Sequence, residues 1–175
     1  MERVYLDLHE HHIDKMLLMR IFPVGRGTHN YDRDLAINRE HYLRVIERLR
    51  GLEQRYLVPK LSLQCALRHL VTVAEKNPCD MVRESLGLTP RGTLLSCVWA
   101  TDPSGNPLSE DFVLGNLANE HLSQIMQSPK AHAYRARLDQ NFGHCKIFAS
   151  LSSSNRDFAS LFAKTDPLYA EKAPS

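Results

Sequence analysis

Cysteine is sparse in this chain and never clustered. The 175 residues include four, Cys65, Cys79, Cys97 and Cys145, and no two of them form a Cys-x2-Cys knuckle. The missing knuckle argues against a zinc ribbon, whose paired ligands come from one tight turn, and leaves zinc only a site assembled from distant cysteines. Long apolar runs are lacking as well: none approaches the roughly eighteen residues of a membrane-spanning helix. So is charge of one sign. With 22 Lys and Arg against 20 Asp and Glu the net charge is +2, and the arginines are spread over several segments, so no basic stripe points to nucleic acid. Met1 to His9 carry acids early and no apolar stretch with a small-residue cleavage site, so no secretory signal is read there and a cytoplasmic setting is expected. Thiols stay reduced in that setting, which makes these cysteines metal ligands or buried residues in preference to a disulfide frame. Internal repeats and low-complexity tracts are also missing.

What is present is a globular composition, 43% hydrophobic and 24% charged, in a chain long enough for one domain or two small units. Met16 to Phe22 is a short, nearly continuous apolar run ended by Pro23, Gly25 and Gly27, the pattern of a strand buried on both faces. Gly25, Arg26 and Gly27 then fall where α/β sheets place ligand loops. Tyr42, Val45, Ile46, Leu49, Leu52 and Tyr56 recur at helical steps and predict an amphipathic helix from about Asn38. Leu61 to Leu67 reads as a second strand bearing Cys65, leading into a helical stretch from His69 to Lys76 that Asn77-Pro78 stops. Leu86-Gly87-Leu88 and Thr93 to Trp99 flank Thr89-Pro90-Arg91-Gly92, which predicts a β-hairpin with Cys97 on its second strand. Asp102 to Pro107 is a dense loop. Leu122, Ile125 and Met126 mark a short helix, and Ser128 caps another that begins at Pro129 and ends at Asn141-Phe142-Gly143, just before Cys145. A last helix from Asp157 to Lys164 and a frayed tail after Asp166-Pro167 complete the expectation.

Cysteines delivered from separated points of a chain suit an iron–sulfur cluster, because no single turn reaches several corners of a cubane. Twelve residues separate Cys79 from Gly92 and four separate Gly92 from Cys97. Gly115-Asn116 is followed by Leu122 and Ile125, then by Ser128-Pro129 and a helix leading to Cys145. Arg20 to Gly27 is similar to the end of a late barrel strand. In this order the chain resembles the C-terminal portion of a radical SAM enzyme carrying an auxiliary iron–sulfur domain of the SPASM or shorter twitch type, over roughly residues 13–150.

The resemblance implies an α/β remnant of a partial (β/α) barrel over residues 1–76. A small α+β SPASM/twitch-like domain with a β-hairpin and short helices would follow over 77–150, then a C-terminal helix and tail over 151–175. It implies one auxiliary 4Fe-4S cluster on Cys79, Cys97 and Cys145, with Cys65, substrate or solvent at the fourth iron. A second cluster is not expected, because the Cys-x2-Cys-x5-Cys-x3-Cys run of full SPASM domains is absent. The Cys-x3-Cys-x2-Cys loop of the SAM-cleaving site is absent too, so no catalytic residue is assigned and S-adenosylmethionine would enter only through a catalytic partner. Gly25, Arg26 and Gly27 would touch a SAM-like or phosphate-bearing ligand, against the plainer reading of a chain turn, and Arg20 carries the same two readings. A radical SAM catalytic chain or a homo-oligomer is the expected partner, since the strand at 15–22 offers an unpaired edge. A peptide or small-molecule substrate is compatible with this picture; nucleic acid and membrane are not. Two other classes stay open. One is a non-catalytic protein-interaction module with a structural metal or none, and the other a freestanding enzyme using His9-Glu10-His11-His12 with the Gly25-Arg26-Gly27 loop. The histidine cluster reads more plainly as a solvated terminal segment, His144 as a cluster-tuning or an exposed residue, and Trp99 as core or cluster shielding.

Overall fold

The computed structural model describes residues 1–22, 39–71, 79–140, 145–151, 166 and 168. Strands β1 (Lys15–Leu18) and β2 (Lys60–Leu63) pair in parallel, with Met16 opposite Leu61 and Leu18 opposite Leu63. Parallel neighbours need a crossover, and helix α2 (Arg39–Tyr56) lies within it. Its Ile46 and Leu49 turn inward onto Met16, Leu18, Leu61 and Leu63. Helix α1 (Glu2–Glu10) closes the same core with Tyr5, whose hydroxyl donates to the Pro59 carbonyl at 2.8 Å. Glu53 ties α2 to the start of β2, accepting from the Leu61 amide at 2.9 Å and from Arg50 at 2.6 Å.

Several expectations for this half are corrected. The run from Met16 to Phe22 is not a strand buried on both faces: β1 alternates, and Leu17 is 53% exposed and Ile21 47%. Only one side of the strand pair meets the core formed with α1 and α2. Helix α3 (Cys65–Val71) starts at Cys65, so that residue is not on a strand. The Gln64 carbonyl accepts from the Leu67 and Arg68 amides at 2.8 and 3.0 Å, which turns the chain helical one residue after β2. The N-terminal segment is a helix, and Glu10, His11 and His12 at its end are exposed, as expected of a solvated segment. The tail is not frayed at Asp166 and Leu168, which are buried. Asn77-Pro78, Asn141-Phe142-Gly143, His144 and the helix expected at 157–164 lie outside the described residues.

The second half is built on the predicted hairpin. β3 (Gly87–Leu88) and β4 (Thr93–Leu95) pair antiparallel, and Gly92 supplies the positive φ of +80° that the turn needs. A third strand, β5 (Val113–Asn116), joins the other edge of β4, giving the order β3-β4-β5. This strand, which ends in Gly115-Asn116, was not among the elements expected from the sequence. Cys97 is not on the second strand, because β4 stops at Leu95 where a bulge breaks the β4–β5 register. Helices α4 (Leu122–Met126) and α5 (Pro129–Gln140) follow as expected, and Ser128 Oγ accepts from the Ala131 amide at 3.2 Å at the start of α5. Helix α6 (Lys146–Leu151), unforeseen, begins immediately after Cys145 and buries Ile147, Phe148 and Ala149.

The two halves share packing. The core of the second includes Phe22 and Ala66 from the first, and Phe22 stacks on Trp99 with ring centroids 4.7 Å apart and planes 4° from parallel. Arg20, 6% exposed, pairs with fully buried Asp166 at 2.5 and 3.2 Å and lies 3.5 Å above the Phe148 ring.

Candidate metal centre

All four cysteines line one cavity of about 190 Å³. That is larger than a cavity of about 150 Å³ known to admit benzene, so the space suits a group of several heavy atoms. Each cysteine comes from a different local structure. Cys65 is the first residue of α3, Cys79 precedes an irregular turn, Cys97 follows the end of β4, and Cys145 immediately precedes α6.

A nearby main-chain amide favours each thiolate: Ala66 for Cys65, Met81 for Cys79, Trp99 for Cys97 and Phe148 for Cys145. Local structure aims these donors. After Met81 the chain reverses through Val82, fully buried at φ +60°, a left-handed conformation that costs a β-branched residue about 1–3 kcal/mol. Asp80 closes that turn, its carbonyl accepting from the amides of Arg83, Glu84 and Ser85 at 3.0, 3.0 and 3.2 Å. At Cys97 the critical neighbour is Gly87, where an added Cβ would stand 2.7 Å from the Cys97 carbonyl oxygen and 2.9 Å from Val98 Cα. Only glycine lets β3 pass this close beneath the Cys97 bend.

Burial pushes every thiol up: Cys79 to about 11, Cys65 and Cys145 to about 12, and Cys97 well above the ordinary cysteine value. The sulfurs also raise one another, Cys145 acting on Cys79 and Cys97, and Cys65 acting on Cys97 and Cys145. Neutral buried thiols are poor nucleophiles, so the chemistry open to this set is metal ligation, in which a metal displaces the protons. Lys146 and Arg68 line the cavity, and Arg20 favours the Cys145 thiolate. Burial lowers Lys146 to about 8 although Cys79, Cys145 and Asp166 oppose the shift. For Arg20 burial acts downward, but the hydrogen bond and charge of Asp166 outweigh it and the guanidinium stays charged.

A single ion needs its thiolates close together: at a Zn–S distance of about 2.3 Å, tetrahedral sulfurs lie about 3.8 Å apart. Among the described residues no three His, Cys, Asp or Glu side chains are grouped to hold one ion. A cluster places its core between its ligands, so its cysteines can stand around a larger common space.

The structure thus brings Cys65, Cys79, Cys97 and Cys145 together, and it places Trp99 on the cavity wall, where the shielding role was anticipated. It does not bring the histidines there: His9 Nδ1 lies 2.9 Å from the Val58 carbonyl and the ring packs against Tyr56. Arg20 is engaged by Asp166. Gly25, Arg26 and Gly27 lie outside the described residues. Two wall residues went unnoticed in the sequence, Gln64 and Lys146, although each adjoins a cysteine and each is a polar residue among apolar neighbours.

The site gathers cysteines from separated segments around one cavity. Residues 79–147 match the model of the SPASM family, described as an iron-sulfur cluster-binding domain. No curated protein and no solved structure matches the chain. The match includes Cys79, Cys97 and Cys145, while Cys65 precedes it. Among the described residues no helix is long and apolar enough to cross a membrane.

Proposed function

We propose that the chain binds one auxiliary-type 4Fe-4S cluster, with Cys79, Cys97, Cys145 and Cys65 as its four thiolates, as part of a radical SAM-related protein. The observation that carries this reading is the convergence of four cysteines, from four separate segments, on one cavity with a main-chain amide favouring each thiolate. The cluster would supply electron transfer or substrate anchoring; the chain supplies four ligands, a largely apolar wall and two buried cations. These residues contain no Cys-x3-Cys-x2-Cys loop, so a SAM-cleaving site would come from another chain or another stretch of a longer polypeptide. The parallel β1–β2 pair with its crossover helix is compatible with the end of a partial barrel.

The exposed apolar side chains of Leu17 and Ile21 favour a covering partner, either a radical SAM catalytic chain or a second copy of this one. The same exposure supports the rival reading of a protein-interaction module in which the cysteines hold a structural metal or none. One experiment separates the two. The full chain and Cys97→Ser are purified without oxygen, reconstituted with iron and sulfide, and assayed for iron, sulfide and absorbance. About four irons per chain, lost in the variant, are expected for a cubane. No iron, or one tightly held zinc, would leave the interaction module as the better account.

A further inference from the structure

Gln64 is 8% exposed and lines the cysteine cavity, yet neither its Nε2 nor its Oε1 meets a hydrogen-bonding partner among the described residues. A carboxamide offers two N–H donors and an acceptor oxygen. Buried groups of this kind are hydrogen-bonded in the great majority of folded proteins, so a pair of orphaned atoms facing a cavity calls for something inside it. The residue's backbone is fixed: its amide donates to the Leu18 carbonyl at 3.0 Å, and its own carbonyl begins α3. The side chain therefore leaves a rigid junction between β2 and α3, one residue before Cys65.

The rest of the wall narrows what Gln64 meets. Arg68, Asp80, Ser85 and Lys146 are its other polar residues, and none of them bonds the Gln64 carboxamide; the remaining wall is cysteine and apolar side chains. The ligand the cysteines select is a cluster, whose sulfides and thiolates are acceptors and hold a net negative charge.

We propose that Gln64 is a positioning residue for that cluster, its Nε2 donating a hydrogen bond to a thiolate or sulfide sulfur while Oε1 takes a water. The proposal rests on the cluster-binding reading above and adds a side-chain donor to the amides that the backbone supplies. Hydrogen bonds to sulfur are among the determinants of cluster potential, and they favour the more negative, reduced state. Loss of the donor should lower the midpoint potential and loosen the cluster.

The test compares the full-length chain with Gln64→Met, which keeps the volume and removes the donor, and with Gln64→Glu, which keeps the shape and presents a carboxylate. Three quantities are read: urea unfolding of the metal-free chain, midpoint potential of the reconstituted chain by spectroscopic titration, and the rate of iron loss to a chelator. Metal-free Gln64→Met should be as stable as the wild type or more so, because an unpartnered buried amide has been removed. Loaded, both variants should show a lower midpoint potential and lose iron several-fold faster. Unchanged potential and unchanged iron loss would overturn the proposal, and would mean that the amide serves a water alone. A metal-free Gln64→Met chain that is clearly destabilised, or fails to fold, would overturn it as well by showing that the amide is satisfied within the fold. A wild-type chain that takes up no cluster would sink the cluster reading itself and this proposal with it, whereas a loaded wild type with indifferent variants would sink this proposal alone.

Discussion

Replacing Asp166 with alanine should destabilise the chain by about 3–5 kcal/mol, the usual result of stranding one charge of a buried pair. Asp166 is fully buried and Arg20 6% exposed; the guanidinium meets both carboxylate oxygens, at 2.5 and 3.2 Å, and Oδ1 also accepts from the Leu168 amide at 3.0 Å. Without the carboxylate, Arg20 would keep its charge in a site where the Phe148 ring, 3.5 Å away, offers only a weaker attraction. For 175 residues at about 2.1 cal/mol/K each, the unfolding entropy near 60 °C is about 0.37 kcal/mol/K, so Tm should fall by roughly 8–14 °C. Urea and thermal unfolding followed by circular dichroism read both quantities. The double variant Arg20→Met with Asp166→Leu removes both charges and should recover at least about 2 kcal/mol of the loss, since apolar replacement of a buried pair is often nearly neutral. An Asp166→Ala chain within about 1 kcal/mol of wild type, or a double variant no better than the single, would refute the reasoning. The pair matters to the site because Phe148 lies on the helix that opens at Cys145, and Arg20 favours the Cys145 thiolate.

Gly87→Ala would place a Cβ 2.7 Å from the Cys97 carbonyl oxygen; it should cost about 1–3 kcal/mol and reduce iron per reconstituted chain, read by unfolding and iron assay. Gly51→Ala, in the interior of α2 with nothing within 4 Å of the new Cβ, should instead stabilise by about 0.5–1 kcal/mol. Stability of the metal-free chain should peak near pH 9. Lys146, depressed to about 8 from 10.5 by burial, lowers stability below that range and stops doing so as it deprotonates; the thiols, raised above 9 by burial, contribute stability below pH 9 and lose it as pH climbs toward 12. A steady decline beginning below pH 8 in a titration of unfolding free energy would contradict those signs. Cluster uptake displaces thiol protons and should strengthen with pH over the neutral range, by up to about tenfold per unit for each ligand thiol, as measured by equilibrium iron loading. Cys65→Ser should lose iron to a chelator faster than wild type; an unchanged rate would give the fourth position to substrate or solvent.

The sequence was most legible where chemistry is local. Helical spacing from Tyr42 to Tyr56 matched α2 to within a residue, and Pro90 with Gly92 set the hairpin turn, because these signals depend only on neighbours. The order of Cys79, Gly92, Cys97 and Cys145 was readable through its resemblance to the SPASM pattern, whose model matches residues 79–147. What failed depended on distant packing. Met16 to Phe22 looks doubly buried by composition, yet covering on one face alone leaves Leu17 and Ile21 exposed. Leu61 to Leu67 begins with strand alternation, but hydrogen bonds to the Gln64 carbonyl turn it helical at Cys65. The burial of Asp166 depends on Arg20, 146 residues away, and no local rule announces such a pair.

The site also extends beyond the stretch that identifies it. Residues 79–147 supply three cysteines, but Leu17, Phe22, Gln64, Cys65 and Arg68 complete the cavity wall from earlier in the chain. Phe22 is held there by Trp99 on one side and by Phe148, at 4.8 Å between centroids, on another. Arg20, two residues before it, is held by Asp166 from the other end of the sequence. These contacts make the α/β half part of the cysteine cavity and not an appendage to it. Removing it would take away Cys65 and Gln64 together with the wall residues Leu17, Phe22 and Arg68. Solvent exposure and hydrogen bonding to sulfur are two of the factors that set a cluster's potential, so under the proposed function the seam between the halves is where the potential of a bound cluster would be set.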